Sequence, residues 1–180
     1  LTKGASPLLL TVIEQRLELF AQLGVEATLV LSFTEDLCRL SPIEYVEQIL
    51  VDSMGAKSIS VGPNHHFVRE REGNPELLKS IGKEQGFAVH IASMVLIDGL
   101  EVSSSHVREL VAEGNMSLAH ELLSRPYAVL GDVVKGQRRG KALGFPTANL
   151  SLYEYQLVPR RGVYAGAACL YDGRRLPAVI

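Results

Sequence analysis

The sequence predicts an α/β fold, a parallel sheet with helices on its faces, continued by the opening of an all-β barrel. Three observations predict it. Up to Leu123, apolar residues at three-to-four residue spacing alternate with short apolar runs of strand length, the pattern of helices laid on parallel strands. After Ser124-Arg125-Pro126 the helical period stops. Beyond it, apolar runs are parted by Gly-rich or Pro-containing turns, and Asp172-Gly173 between two of them marks a hairpin. The expected domains are 1–124 and 125–180.

The elements follow in order. Leu10, Ile13, Leu17, Phe20 and Leu23 keep helical spacing from Leu8 onward, and Gly24 stops the helix. The apolar run 27–33 suits a parallel strand covered on both faces. Ser41, Pro42 and Glu44 form a capping box with Pro at the first position, opening a helix to about Met54. A second buried strand spans 58–62. Asn74-Pro75-Glu76 starts the next helix, which ends near Gly86. Residues 87–91 make the third strand. Ser103 to Ser105 precede a helix from Val107 to Glu113, and Ser117 to Leu123 form another. Later strands are expected at 127–130, 132–134, 162–171 and 176–180.

The chain has 180 residues, 47% of them hydrophobic and 21% charged, an ordinary globular composition able to bury a core. Its net charge of −2 argues against a general polyanion binder, and no aromatic-basic interleaving supports nucleic-acid binding. No apolar run reaches the roughly 20 residues that span a bilayer. Cys38 and Cys169 lie in apolar contexts without metal-ligand spacing, and read as buried free thiols in a reducing cytosol. His65 and His66 point in different directions and lack an evident third ligand. The first residue is Leu and the last run is apolar, so both ends are expected to be cut.

The stretch 135–150, KGQRRGKALGFPTANL, carries the most chemistry. Lys135, Arg138, Arg139 and Lys141 give it four cations and no acid. Gly136 and Gly140 allow close backbone approach, and their amides can form an anion nest suited to a polyphosphate. Charge alone leaves a solvated basic turn open. Thr147 and Asn149, two apart on an extended chain, share a face. A hydroxyl and a carboxamide oxygen are hard neutral ligands that suit Mg²⁺ already carrying phosphate oxygens, although Thr and Asn also favour turns.

The run 140–149, GKALGFPTAN, followed by 159–165, PRRGVYA, closely resembles riboflavin kinase. The whole chain is similar to the middle of the prokaryotic bifunctional riboflavin kinase/FAD synthetase family. The resemblance implies that Thr147 and Asn149 bind Mg²⁺ and ATP phosphates. It implies that Gly136, Gly140, Lys141, Gly144, Phe145 and Pro146 border the ATP site, with Val163 and Tyr164 on the flavin side. The stretch 102–108, VSSSHVR, resembles the ISSTxIR motif of the adenylyltransferase half. Hydroxyls and amides of Ser103, Ser104 and Ser105 at a helix start, with Arg108 one turn in, make a triphosphate cradle. The stretch 61–73 resembles the flavin-side motif VGxDFxFGxxRxG and assigns Asn64, Phe67 and Arg71 to flavin. In it Asn64 stands for Asp, His65 for Phe and Val68 for Gly.

The resemblance implies a Rossmann-like nucleotidyltransferase domain lacking its first strand, then an incomplete antiparallel β-barrel of riboflavin kinase. It implies a cytoplasmic enzyme that phosphorylates riboflavin to FMN with ATP and Mg²⁺ and adenylylates FMN to FAD. The catalytic Glu base and the HxGH-type motif of the family are expected outside this chain, and Glu154 comes too early to be that base. This stretch is then expected to keep nucleotide contacts with little turnover. The alternative is a non-catalytic nucleotide- or flavin-binding module.

Overall fold

A computed structural model describes residues 6–32, 34–68, 72–137, 140, 144, 145 and 147–180. The chain divides into two compact units, Leu1–Thr28 with Ile97–Ile180, and Leu29–Leu96. The sequence division at 124/125 therefore falls inside the first of them.

In the unit over 29–96, α2 (Glu35–Arg39) is a short helix that the sequence pattern did not announce, capped by the Thr34 hydroxyl. Then α3 (Pro42–Tyr45) opens as expected: Ser41 accepts from the Glu44 amide, and the Glu44 carboxylate accepts from the Ser41 amide at 2.8 Å. The helix does not stay α. Val46–Ser53 winds as a π-helix. There the Ser53 hydroxyl donates to the Gln48 carbonyl five residues back, in competition with the α ladder.

Strand β1 (Ser58–Val61) pairs in parallel with β2 (Ala88–Ile91), Ile59 opposite Val89. Helix α4 (Pro75–Gln85) lies between them in sequence, capped by the Asn74 side chain at 2.9 Å from the Leu77 amide. A Cβ on Gly82 of α4 would sit 2.9 Å from the Phe87 carbonyl oxygen and from the Val89 side chain, so only glycine lets helix and strand meet this closely. The core consists of Val46, Phe67, Leu78, Ile81 and Phe87. Each aliphatic side chain so buried contributes about 1.5–3 kcal/mol.

Two expectations fail here. Strands β1 and β2 are covered on one face only: Ile59, Val61, Val89 and Ile91 are half-buried, whereas Ser58, Ser60, Ala88 and His90 are exposed. Their polar–apolar alternation is a half-buried signature. The run 27–32 forms no strand, and Leu29, Val30 and Leu31 are exposed. The β1–β2 sheet has two strands only, so the run has no sheet partner among the described residues. Phe33 lies outside the described residues.

In the other unit, α1 spans Ile13–Gln22 rather than starting at Leu8. Leu9 is instead bridged to Gln156, donating to the Tyr155 carbonyl at 2.7 Å and accepting from the Leu157 amide at 2.8 Å. The division between the units falls within β3 (Leu96–Ile97), which with β4 (Leu100–Glu101) flanks an unpredicted Asp98-Gly99 turn. Helices α5 (Ser104–Glu113) and α6 (Met116–Leu123) supply Val107, Leu110, Val111, Ala119 and Leu122 to a core that also takes Leu157. Strand β5 (Gly131–Val134) pairs antiparallel with β6 (Asn149–Leu152). Strand β7 (Ala165–Cys169) pairs with β8 (Arg175–Val179) across the expected hairpin, where the Asp172 carboxylate accepts from the Arg174 amide. These two ribbons do not join into a closed barrel among the described residues.

The expected strand at 127–130 is absent because its polar groups are used elsewhere. The Tyr127 hydroxyl donates to the Leu157 carbonyl at 2.7 Å, and the Leu130 amide donates to the Gln156 side chain at 3.1 Å. The strand expected over 162–171 is confined to β7, although the Tyr164 and Ile180 backbones exchange hydrogen bonds at its end. Neither cysteine is buried: Cys38 is half-buried and Cys169 is exposed. Among the described residues no helix is long and apolar enough to cross a membrane.

Leu157→Ala should cost about 3 kcal/mol of stability in urea unfolding, because Leu157 fills the α5–α6 core. Burial pushes the Tyr127 phenol up to about 12, against 10.0 for the free group, with nearby Arg125 opposing the shift. Its contribution is therefore intact below pH 10 and lost as pH rises from 10 toward 12. Tyr127→Phe should flatten that part of the stability–pH curve.

Candidate functional site

The loop joining β5 to β6 starts and ends at one cross-strand pair, Val134 opposite Asn149. The antiparallel register thus brings the start of the basic segment beside the end of the Thr-Ala-Asn corner. Two glycines then meet the two polar side chains. A Cβ on Gly136 would overlap the Asn149 side-chain amide, with Asn149 Cγ at 2.7 Å. A Cβ on Gly140 would lie 2.8 Å from the Thr147 hydroxyl and would overlap the Phe145 carbonyl oxygen. The Phe145 amide donates to the Gly140 carbonyl at 2.8 Å, closing the turn that returns through Gly144, which has a φ of +82°.

The result is an open polar corner. Thr147 and Asn149 are exposed, as is Lys135, and the Phe145 ring is 76% exposed. The loop backbone packs against both side chains where a methyl group would not fit, while Thr147 and Asn149 themselves stay exposed to solvent. The chemistry of the pair, two uncharged oxygens, fits a hard divalent cation that brings its own phosphate ligands. Arg138, Arg139, Lys141 and Pro146 lie outside the described residues.

The second cluster sits at the start of α5. The Ser103 hydroxyl accepts from the His106 amide at 3.3 Å, the expected N-cap. Ser104 and Ser105 are exposed in the first turn, with hydroxyls beside the unpaired amides of a helix start. Arg108 is half-buried, and its Nε donates to the Leu8 carbonyl at 2.8 Å, a partner that sequence reading could not supply. At the other end of α5, the Val111 carbonyl accepts from the Arg160 amide at 3.3 Å. The Tyr164 hydroxyl donates to the Arg160 carbonyl and lies against Gly114. Tyr164 is thus half-buried against the helix end, whereas Val163 is 83% exposed.

The third cluster separates. Asn64 is exposed in a turn closed by the His65 amide donating to the Gly62 carbonyl. Phe67 is buried in the core. Its ring lies 5.5 Å from the Tyr45 ring and 5.6 Å from His65, and a Cβ on Gly73 would approach it to 2.6 Å. With its surroundings so filled, Phe67 anchors the loop. Val68, where the flavin-side motif has glycine, adopts a φ of +55°, a region that disfavours a branched side chain. Burial, and then the neighbouring charge of His66, lowers the pKa of His65. Arg71 lies outside the described residues.

A sequence model of the family described as FAD synthetase matches residues 1–106, and one described as riboflavin kinase matches 123–180. The chain belongs to the bifunctional riboflavin kinase/FMN adenylyltransferase family. A member from Pseudomonas fluorescens is 41% identical over 156 residues, covering 87% of this chain and 50% of that protein. A member from Escherichia coli K12 is 34% identical over 174 residues, covering 97% of this chain and 55% of that protein. The chain thus spans about half the length of these relatives. A crystal structure described as a macrolide-efflux protein from Streptococcus pneumoniae superposes with a TM-score of 0.77 at 26% identity, covering 98% of this chain and 62% of that one. The β5–β6 corner falls within the riboflavin kinase match, and Ser103 to Ser105 close the FAD synthetase match.

Gly136→Ala should displace the Asn149 amide and cost about 1–3 kcal/mol. The change should appear as a moved Asn149 side-chain cross-peak in a nitrogen–proton correlation spectrum. Gly62→Ala is the control, because a Cβ there meets nothing within 4 Å.

Proposed function

We propose that the chain is part of an enzyme of flavin cofactor synthesis that phosphorylates riboflavin to FMN and adenylylates FMN to FAD. ATP is the donor and Mg²⁺ the metal for both steps. One observation carries the reading: the two glycines of the basic loop lie against Thr147 and Asn149, inside the stretch that matches riboflavin kinase. We divide the chain into two domains, 1–124 and 125–180, a reading supported by there being two separate family matches, over 1–106 and 123–180.

Phosphoryl transfer asks mainly for positioning and charge neutralisation. Lys135, with Arg138, Arg139 and Lys141 of the same loop, supplies positive charge for the phosphates. The loop amides can approach because Gly136 and Gly140 carry no side chain. Thr147 and Asn149 would hold Mg²⁺, which when bound neutralises phosphate charge. Phe145 and Gly144 lie beside them, Pro146 is assigned to the same ATP site by its motif, and Val163 and Tyr164 border the flavin. In the adenylyltransferase half, the first-turn amides and hydroxyls of Ser103, Ser104 and Ser105 receive the triphosphate, and Arg108 pairs with it. Asn64 and Arg71 remain candidates for the flavin side there, with Phe67 as the ring that holds their loop. Small-molecule substrates and free cysteines suit a cytoplasmic setting.

Calorimetric titration with ADP, with and without Mg²⁺, tests the corner. Binding should need the metal, and Thr147→Ala or Asn149→Ala should each weaken it about tenfold, or about 1.4 kcal/mol. Metal-independent binding that ignores both substitutions would remove the corner from the site.

A further inference from the structure

Arg108 does not orient itself. Its Nε is held by the Leu8 carbonyl, and Leu8, 44% exposed, is not fixed by burial of its own side chain. What holds that carbonyl is the strand-like docking of Leu9 between Tyr155 and Leu157. Beneath the docking lies Gln156, 5% exposed, with both ends of its amide engaged. Its oxygen accepts from the Leu130 amide at 3.1 Å. Its nitrogen donates to the Gln15 oxygen at 3.0 Å. That same Gln15 oxygen accepts from the Val12 amide at 3.1 Å, and the Gln15 nitrogen donates to the Ala128 carbonyl at 3.1 Å. The segment 8–12 is therefore pinned by Gln156 at one side and by Leu9 pairing at the other.

We propose that Gln156 is a positioning residue for Arg108. It holds segment 8–12 so that the Leu8 carbonyl aims the guanidinium at an incoming triphosphate. A guanidinium with one edge already fixed loses less freedom when its remaining nitrogens meet phosphate. A residue within the riboflavin kinase match thus sets nucleotide affinity in the adenylyltransferase half. The proposal rests on the reading of Ser103 to Arg108 as a triphosphate cradle.

The test is calorimetric titration with ATP carrying a methylene group between its α- and β-phosphates. It uses the wild-type chain, Gln156→Met and Gln15→Met, each alone and combined with Arg108→Ala. Either glutamine substitution alone should weaken binding about fivefold, the low end for coupling between separate sites. In the Arg108→Ala background the same substitutions should change nothing. Equal losses in both backgrounds, or no loss in either, overturn the proposal. Gln15 is only half-buried, so Gln15→Met decides the matter if Gln156→Met does not fold. Unfolding of both overturns it by making the network purely structural. Should Arg108→Ala leave the affinity unchanged, or the wild type fail to bind, the cradle reading itself fails. Weakening by Arg108→Ala alone, with none from the glutamines, refutes only the positioning role.

Discussion

The buried amide of Gln156 is the constraint around which its unit is organised. A carboxamide taken out of water without partners costs several kcal/mol on the least forgiving scales, so a buried one must be satisfied by groups that come to it. Those groups are Gln15 from the start of α1 and the Leu130 amide, while the adjacent backbone pairs with Leu9. Three stretches distant in sequence therefore meet at one side chain. No buried side-chain polar atom among the described residues is left without a partner, which makes the network a specifying contact.

Helix α5 carries the consequence into the candidate sites. Its buried Val107, Leu110 and Val111 fix its axis against α6 and Leu157. Its first turn exposes the serines, its second carries Arg108, and its last touches Arg160 and Tyr164. One short helix is thus in physical contact with residues assigned to both halves of the family. The β5–β6 corner is organised differently, by backbone register and by the missing side chains of Gly136 and Gly140.

Local signals were legible in the sequence. The Ser41–Glu44 capping box, the Asn74 and Ser103 caps and the Asp172-Gly173 hairpin all depend on neighbours a few residues apart, and each formed as spacing implied. What failed was whatever depended on a distant partner. Leu8 to Val12 carry a helical pattern, yet long-range pairing with Gln156 takes that backbone. The apolar run at 27–32 has no strand to join among the described residues, and Tyr127 to Leu130 spend their polar groups on Gln156 and Leu157. At the candidate site, motif spacing pointed to the glycines, Thr147 and Asn149, which the strand register brings together. It could not place Phe67, whose aromatic character serves core and ligand contact equally, and only its burial separates the two.

The discontinuity of the first unit bears on how the chain acquires its shape during synthesis. Residues 29–96 are one continuous stretch with a core of their own, and can collapse once they have emerged. Gln15 must wait for Gln156, 141 residues later, before its network can close. Until then the start of the first helix lacks the side-chain contact that fixes it. Closing so long a loop is an entropic cost met late and all at once. The order of emergence thus makes segment 8–15 settle late, although it is made well before the residues that hold it.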